Sequence, residues 1–283
     1  MAKKVTTGTL DLYERHWRKL MKWMVDRGVP PLLECLTVAL FIACLDDILA
    51  AGYCYPAANL TRCAVALAYR IALVDPPYVT DHPSVKSALK GFQRQAAHRT
   101  TRRCGIGRAK RDALLAVICP WVTAALWPMV FVAMMLGSEM LLRVSEVLES
   151  EAAHYEFSTK AVELYLPHSK TDQLRRGVRI KSTHPMLCRM LRKLCAGVPP
   201  GQRIFTIQAA YLNELIRKGA NVLGWEGYYS FHSFRHGTAT DIWLETKDLH
   251  KVQLAGRWWT KAAARWYIHV IHVPQTVAEE SED

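Results

Sequence analysis

Five basic or nucleophilic side chains in the second half of the sequence together suit chemistry on a phosphodiester: Arg143, Lys170, His232, Arg235 and Tyr267. A tyrosine hydroxyl can attack phosphorus, and a guanidinium group stays charged and offers a planar fork to two phosphoryl oxygens. A lysine or a protonated histidine can give a proton to the departing oxygen, and a neutral histidine can accept one. The set therefore predicts cleavage of a DNA strand through a covalent phosphotyrosine, with no metal and no nucleotide cofactor.

Each of these residues, taken singly, also has an ordinary structural explanation. Arg143 lies in the apolar stretch MLLRVSEVL, where a buried arginine would pair with Glu146 three residues on. Lys170 lies in a turn, where a solvated lysine is the common case, and Tyr267 is one of eleven tyrosines. Their order and combination favour an active site more than any one of them does.

The composition points to a folded protein with a polyanionic partner. The chain has 283 residues, 51% of them hydrophobic, and a formal net charge of +12. The length favours two domains, and the charge favours nucleic acid, with an anionic membrane or an acidic protein as alternatives. Eight cysteines without a CxxC pair are typical of reduced thiols. We therefore expect an intracellular protein found with DNA, in the nucleus of a eukaryotic host or the cytoplasm or nucleoid of a bacterial or viral one.

The first hundred residues show the spacing of amphipathic helices, followed by a basic stretch. Apolar periodicity predicts helices over residues 10–24, 32–50 and 58–74, and another from Pro83. Between Lys86 and Arg111 there are nine Lys or Arg residues and no Asp or Glu. The end of this stretch, HRTTRRCGIGRAKR, has the composition of a flexible linker.

Several cations in and beyond this stretch are candidate DNA contacts. Lys86, Lys90 and Arg94 are spaced i, i+4 and i+8 and share one face of the fourth helix. A solvated charged face followed by a plain connector, or a nuclear-localisation patch, are the alternatives. The predicted DNA-binding residues are Lys86, Lys90, Arg94, Arg102, Arg103, Arg108 and Arg257.

Residues 113–138 contain no charge and are long enough to span a bilayer. Pro120, Pro128 and Gly137 divide the run, so two buried core helices explain it better than a membrane span. The period then changes to alternation in AVELYLP and GVRIKS, which predicts a β-hairpin joined by HSKTDQLRR. Helices are expected again from Pro185 to the end.

The second half resembles the catalytic domain of the tyrosine recombinase (phage integrase) family. The matching motifs are RVSE from Arg143, SKTDQ around Lys170, and HSFR from His232 to Arg235, with Trp258 a further 23 residues on and nine residues before Tyr267. The tryptophan, in place of a second histidine, is similar to Cre-type enzymes. The resemblance implies that Arg143 and Arg235 clamp the phosphate, Lys170 protonates the leaving oxygen, His232 acts as acid and base, and Trp258 donates its indole N–H.

The resemblance extends to the first half, where PSVKSALKGFQR is similar to the family's helical core-binding domain. It implies a mainly α protein with a small antiparallel β-sheet, in which residues 1–105 and 106–283 form a two-domain clamp on DNA. The implied activity is site-specific recombination or integration by a homo-oligomer, expected to be a tetramer on double-stranded DNA, with no membrane. A relaxing enzyme of the type IB topoisomerase class, or a domesticated DNA-binding protein without catalysis, are the alternatives.

Among the departures from the family pattern are SEMLL in place of the usual Gly- or Ala-rich approach to Arg143, and two positions near the predicted active site. Arg257 stands directly before Trp258, where the family usually has a small residue, and its cation could meet either phosphate or solvent. His236 follows Arg235 directly, which leaves open which histidine faces the phosphate.

Overall fold

The computed structural model describes residues 7–96, 104–167, 177–199 and 201–268. The chain forms two compact units, Met1–Thr100 and Thr101–Asp283. Each unit has its own hydrophobic core. The described residues are mainly helical, with one small antiparallel sheet, and the predicted fold class is confirmed in this respect.

The described part of the first unit contains four α-helices: α1 (Thr7–Val25), α2 (Val38–Ala50), α3 (Tyr55–Ile71) and α4 (Pro83–Ala96). Helix α1 packs on α3, and α2 packs on α4. Helix α2 begins six residues later than predicted, because the Thr37 hydroxyl caps it by accepting a hydrogen bond from the Leu40 N–H. Helix α3 begins earlier than predicted, because Pro56 fits the first turn.

Helix α4 separates an apolar face from a basic one. Its buried side chains, Val85, Leu89 and Phe92, belong to the core of the first unit. The three cations Lys86, Lys90 and Arg94 are exposed along the helix, and we call them the basic row. Their spacing leaves all three side chains available to a polyanion.

The second unit contains eight described helices and three strands. The helices are α5 (Arg108–Ile118), α6 (Trp127–Glu139), α7 (Val144–Leu148), α8 (Pro185–Ala196), α9 (Ala209–Val222), α10 (Ser233–Thr246), α11 (Leu249–Gly256) and α12 (Lys261–Trp266). The strands are β1 (Tyr155–Phe157), β2 (Val162–Leu166) and β3 (Val178–Ser182), in the order β1-β2-β3. Strands β2 and β3 form the predicted hairpin, with Leu164 opposite Ile180. Strand β1 was not predicted, because three residues are too few to show alternation.

The uncharged stretch forms two helices, α5 and α6, as predicted, and α6 is almost entirely buried. Pro120 lies in a short 3-10 turn between them, and Pro128 lies in the first turn of α6. The sequence predicted an interruption at Gly137, but α6 continues through this residue to Glu139. A Cβ atom there would lie 2.7 Å from the Phe231 ring, so the glycine makes room for a core aromatic. Of the described helices, none is long and apolar enough to cross a membrane.

The chain that enters the second unit is tied closely to α10. The Ile106 N–H donates to the Ser233 carbonyl at 2.8 Å, and the Arg108 N–H donates to the Asp241 carboxylate at 2.7 Å. A Cβ atom on Gly237 would lie only 1.9 Å from the Ile106 carbonyl carbon. Glycine is therefore needed for this close approach, which fixes the start of α10 against the rest of the unit.

Candidate active site

Three chain segments of the second unit bring most of the predicted catalytic residues together. Helix α10 packs against both α6 and α11, and α11 packs against α12. The segments contribute His232 and Arg235 at the start of α10, Arg143 at the start of α7, and Trp258 and Tyr267 before and after α12. Residues more than a hundred positions apart in sequence thus share one site.

Arg235 lies fully buried at the base of this site. One Nη donates to the Leu141 carbonyl, and the other donates to the Gly256 carbonyl at 2.9 Å. Leu141 has a left-handed backbone (φ +48°), which is rare for a non-glycine residue and is typical of functional sites. The Nε–H of Arg235 has no partner within the described residues, although a buried donor is costly to leave unpaired. Arg235 therefore offers a donor that a ligand could use.

Glu146 lies between two further arginines. Its Oε1 accepts from the Arg143 guanidinium at 2.6 Å, and its Oε2 accepts from the Arg257 guanidinium at 2.8 Å. Oε2 also accepts from the Arg143 N–H at 2.8 Å, which caps α7. Arg257 points inward and is 11% exposed, so it belongs to this cluster.

The cluster carries an excess of positive charge. Three guanidinium groups, of Arg143, Arg235 and Arg257, face one carboxylate, that of Glu146, and three positive charges less one negative charge leave a net +2. Burial, together with Arg143 and Arg257, lowers the pKa of Arg235 to about 10, so the group stays charged at neutral pH. Burial also lowers the pKa of Arg257. An anion bound here would offset the cost of these enclosed charges.

The ring of Tyr267 lies over the cluster among three other rings. It stacks on His236 with centroids 4.6 Å apart, and it contacts Trp258 at 4.4 Å and His232 at 5.4 Å. The guanidinium carbon of Arg235 lies 5.7 Å from the same ring. Both histidines thus contact the tyrosine, with the buried His236 nearer than the half-buried His232.

Trp258 forms one wall of this arrangement. The residue is 7% exposed, and the centre of its ring lies 5.1 Å from the guanidinium carbon of Arg235. The buried indole N–H has no hydrogen-bond partner among the residues described. A Cβ atom on Gly256 would lie 1.8 Å from the indole, so glycine is needed for the ring to fold back over α11.

The remaining predicted site residues lie elsewhere. Lys170, Arg102 and Arg103 lie outside the described residues. The basic row belongs to the first unit. Arg108 forms an ion pair with Glu245 of α10 at the surface of the second unit.

No protein-family model and no curated protein sequence matches the chain. Solved structures do match it. The XerH site-specific recombinase bound to its difH substrate is 15% identical with a TM-score of 0.67, over 91% of this chain and 75% of XerH. A lambda integrase dimer bound to a core site is 18% identical (TM-score 0.64; 100% and 93% covered), and the Tn1549 transposon integrase with circular intermediate DNA is 12% identical (0.67; 95% and 91%). The chain has the tyrosine recombinase fold.

Within this recombinase fold, sequence reasoning missed the backbone groups that orient the arginines. The Leu141 carbonyl accepts from both Arg235 and Arg257, the second at 3.3 Å. The apolar residues of the MLL segment give no indication in the sequence that a backbone carbonyl there accepts hydrogen bonds from two arginines. The Arg143–Glu146 pair was foreseen as a structural alternative, and the geometry makes it part of the site itself.

Replacing Glu146 with glutamine should strongly destabilise the recombinase fold at neutral pH. Burial alone would raise the pKa of this carboxyl, but Arg257 and Arg143 hold it below its ordinary value of 4.5. The substitution leaves two enclosed guanidinium groups without their counter-charge, so we expect a loss of about 3–5 kcal/mol in unfolding free energy, as for a broken buried ion pair. Urea unfolding at pH 7 measures this loss.

The same measurement at lower pH gives the sign of the linkage. A carboxyl whose pKa is depressed by folding stabilises the protein above its unfolded-state pKa, and this contribution is lost as the pH falls through the folded-state value. The difference in unfolding free energy between the wild type and Glu146→Gln should therefore become smaller below pH 4.5. The exposed Glu149→Gln is the control and should show no comparable difference at pH 7. A pH-independent difference would contradict this account.

Proposed function

We propose that this chain is a site-specific DNA recombinase or integrase, which cleaves and rejoins DNA through a 3′-phosphotyrosine formed by Tyr267. One observation carries the proposal. A tyrosine ring lies 5.7 Å from the guanidinium carbon of a buried arginine, within a cluster that holds a net positive charge. The solved structures with this fold include recombinases and integrases bound to DNA, which supports the same activity here.

The proposed reaction is a transesterification that conserves the number of phosphate ester bonds. The Tyr267 oxygen attacks the scissile phosphorus, the bond from phosphorus to the 5′ oxygen breaks, and the tyrosine proton passes to a histidine, for which His232 is the proposed base. Lys170 is proposed to protonate the departing 5′ oxygen. Attack by the 5′ hydroxyl of another strand reverses these steps and releases Tyr267. Neither step requires a metal or a nucleotide cofactor.

Fixed donors would stabilise the charge that develops on the phosphoryl oxygens. Arg143 and Arg235 are the proposed clamp, and the indole N–H of Trp258, which no described residue pairs, is a third donor. A preorganised donor of this kind contributes about 10²–10³-fold in rate. Arg143, at 20% side-chain exposure, and the half-buried His232 and Tyr267 are the members that solvent reaches, so the phosphate is expected to enter from their side.

Double-stranded DNA is the proposed partner, bound by cations of both units and acted on by a homo-oligomer, expected to be a tetramer. The basic row of α4 supplies exposed cations for the phosphate backbone, and neutralising phosphates releases counterions. Arg102, Arg103 and Arg108 are proposed to extend this contact. The division at residue 105 into a core-binding domain and a catalytic domain belongs to the same proposal, as does an intracellular location with the DNA.

The test is to trap the covalent intermediate. The protein is incubated with a pool of nicked duplexes of random sequence, in which cleavage near the nick frees a short fragment and blocks rejoining. We expect adducts that survive denaturation, and nuclease digestion followed by mass spectrometry should place the nucleotide on Tyr267. Sequencing the trapped DNA should give one defined site.

Other outcomes would identify other functions. Adducts at many unrelated sequences, with relaxation of supercoiled plasmid, would indicate a relaxing enzyme. DNA binding without any adduct would indicate a DNA-binding protein that lacks catalysis. Either result would overturn the proposal of site-specific recombination.

A further inference from the structure

We propose that Arg257 is a positioning residue of this site, whose guanidinium holds the turn before α12 against the turn before α7. The proposal rests on the proposed function and deepens it. The turn before α12 carries Trp258 and leads to Tyr267, and the turn before α7 carries Arg143. One side chain would thus set the distance between the nucleophile and one arginine of the phosphate clamp.

Three contacts of the Arg257 side chain make this bridge. Its Nη1 donates to the Met140 carbonyl at 3.0 Å, and its Nη2 donates to the Leu141 carbonyl at 3.3 Å. Nη2 also pairs with Glu146 at 2.8 Å. All three acceptors belong to the segment around Arg143, whereas Arg257 itself directly precedes Trp258. A planar fork with several donors is suited to a bridge of this kind, and a single ammonium is not.

The backbone at this position is one that glycine accepts, so the side chain can be removed without adding strain. Arg257 has a left-handed conformation (φ +54°), which glycine adopts more readily than any residue with a Cβ atom. Leu141, one of its acceptors, is left-handed too (φ +48°). The hydrogen bond from the Arg257 guanidinium to the Leu141 carbonyl thus joins two residues in disfavoured backbone conformations. Such conformations cluster at sites where the surrounding structure holds a geometry for function.

The electrostatics of Arg257 also fit a functional role better than a purely stabilising one. Its side chain is 11% exposed, and its one charged partner among the described residues, Glu146, is shared with Arg143. Its Nε–H is buried without a partner in the described part of the chain. A buried cation that shares its counter-ion with another arginine contributes little to stability, since the cost of desolvation offsets much of the Coulomb attraction. It does add a third positive charge beside the proposed phosphate site.

The deciding variant is Arg257→Gly, because glycine accepts the backbone conformation and removes only the side chain. The matched control is Lys247→Gly. Lys247 is also a cation in a left-handed conformation (φ +53°) at the end of a helix, α10, but its side chain is exposed. Both substitutions remove one positive charge and relieve the same backbone strain.

We expect Arg257→Gly to lower the single-turnover rate of adduct formation by about 10- to 100-fold, as a displaced catalytic geometry does. The Kd for the same duplex should change by no more than about threefold, and Lys247→Gly should change neither quantity. Arg257→Lys, which keeps the charge without the fork, should recover only part of the rate. An unchanged rate in Arg257→Gly, or the full wild-type rate in Arg257→Lys, would overturn the proposal. If circular dichroism finds Arg257→Gly unfolded, Arg257→Lys decides alone.

A second measurement separates this proposal from the proposed function. If the wild-type protein forms no adduct, the function is wrong, and the bridge is then tested by urea unfolding of Arg257→Gly, Glu146→Gln and the double variant. Substitutions within one ion-paired network have non-additive effects on stability. We expect the double variant to depart from the sum of the single variants by about tenfold in the unfolding equilibrium constant. Additive effects would show that Arg257 does not hold the two turns together.

Discussion

Tyr267→Phe should abolish the covalent protein–DNA adduct and leave the protein folded and able to bind DNA. The substitution removes only the hydroxyl, and the phenyl ring can keep its packing against His236 and Trp258. Without the nucleophilic oxygen no phosphotyrosine can form, so the rate of adduct formation should fall by about 10⁴-fold or more. Gel separation after denaturation measures the adduct, and fluorescence anisotropy measures the Kd.

The control for this change is Tyr211→Phe, the same loss of a hydroxyl from a half-buried tyrosine on α9 of the same unit. It should form adducts at the wild-type rate. DNA affinity in Tyr267→Phe should stay within about twofold of the wild type, because phosphate contacts by cations dominate that affinity. Persistent adducts in Tyr267→Phe would show that another residue is the nucleophile and would end the assignment.

The sequence could indicate the parts of the site that depend on residue type and on spacing within the family motif. The family resemblance singled out Tyr267 among eleven tyrosines, because it follows Trp258 by nine residues. The structure places the side chains of Tyr267, Trp258 and Arg235 in contact. The Arg143–Glu146 spacing allowed either a buried pair or a catalytic arginine. The two interpretations are compatible, because Glu146 holds the Arg143 guanidinium with one oxygen and leaves part of that side chain exposed.

The direction of a side chain and the use of backbone groups could not be predicted in the same way. Arg257 was predicted to meet either phosphate or solvent, because no sequence pattern tells whether a cation before Trp258 points into the protein or out of it. Its direction depends on the left-handed turn at the end of α11 and on the carbonyl of Leu141. Both are consequences of the packing of α10 against α11 and against α6, and α6 lies about a hundred residues earlier in the sequence.

Helix ends followed local chemistry more closely than periodicity. The apolar pattern predicted a helix from residue 32, but the hydroxyl of Thr37 sets the first turn of α2. The pattern also treated Gly137 as an interruption, whereas the helix continues and the glycine makes room for Phe231. Tertiary contact thus overrides the local preference of glycine inside α6.

Arg235→Lys should separate the chemistry from DNA affinity. Lysine keeps the positive charge, but its single nitrogen cannot donate to the Leu141 and Gly256 carbonyls together and also present a further N–H to the phosphate. We expect adduct formation to fall by about 10²–10³-fold, with the Kd for DNA changed by less than about threefold. One buried carbonyl left unpaired should also lower the unfolding free energy by about 1–3 kcal/mol.

The matched control is Arg217→Lys, the same exchange at an exposed position of α9, which should change neither rate nor stability. The comparison is informative because Arg235 is fully buried and Arg217 is not. If Arg235 only attracted DNA, its substitution would weaken binding and would slow the reaction in equal proportion at DNA concentrations below saturation. A residue that stabilises the transition state loses rate at saturating DNA. A wild-type rate in Arg235→Lys at saturating DNA would mean that charge alone is required, and the forked geometry at the base of the site would then have no part in catalysis.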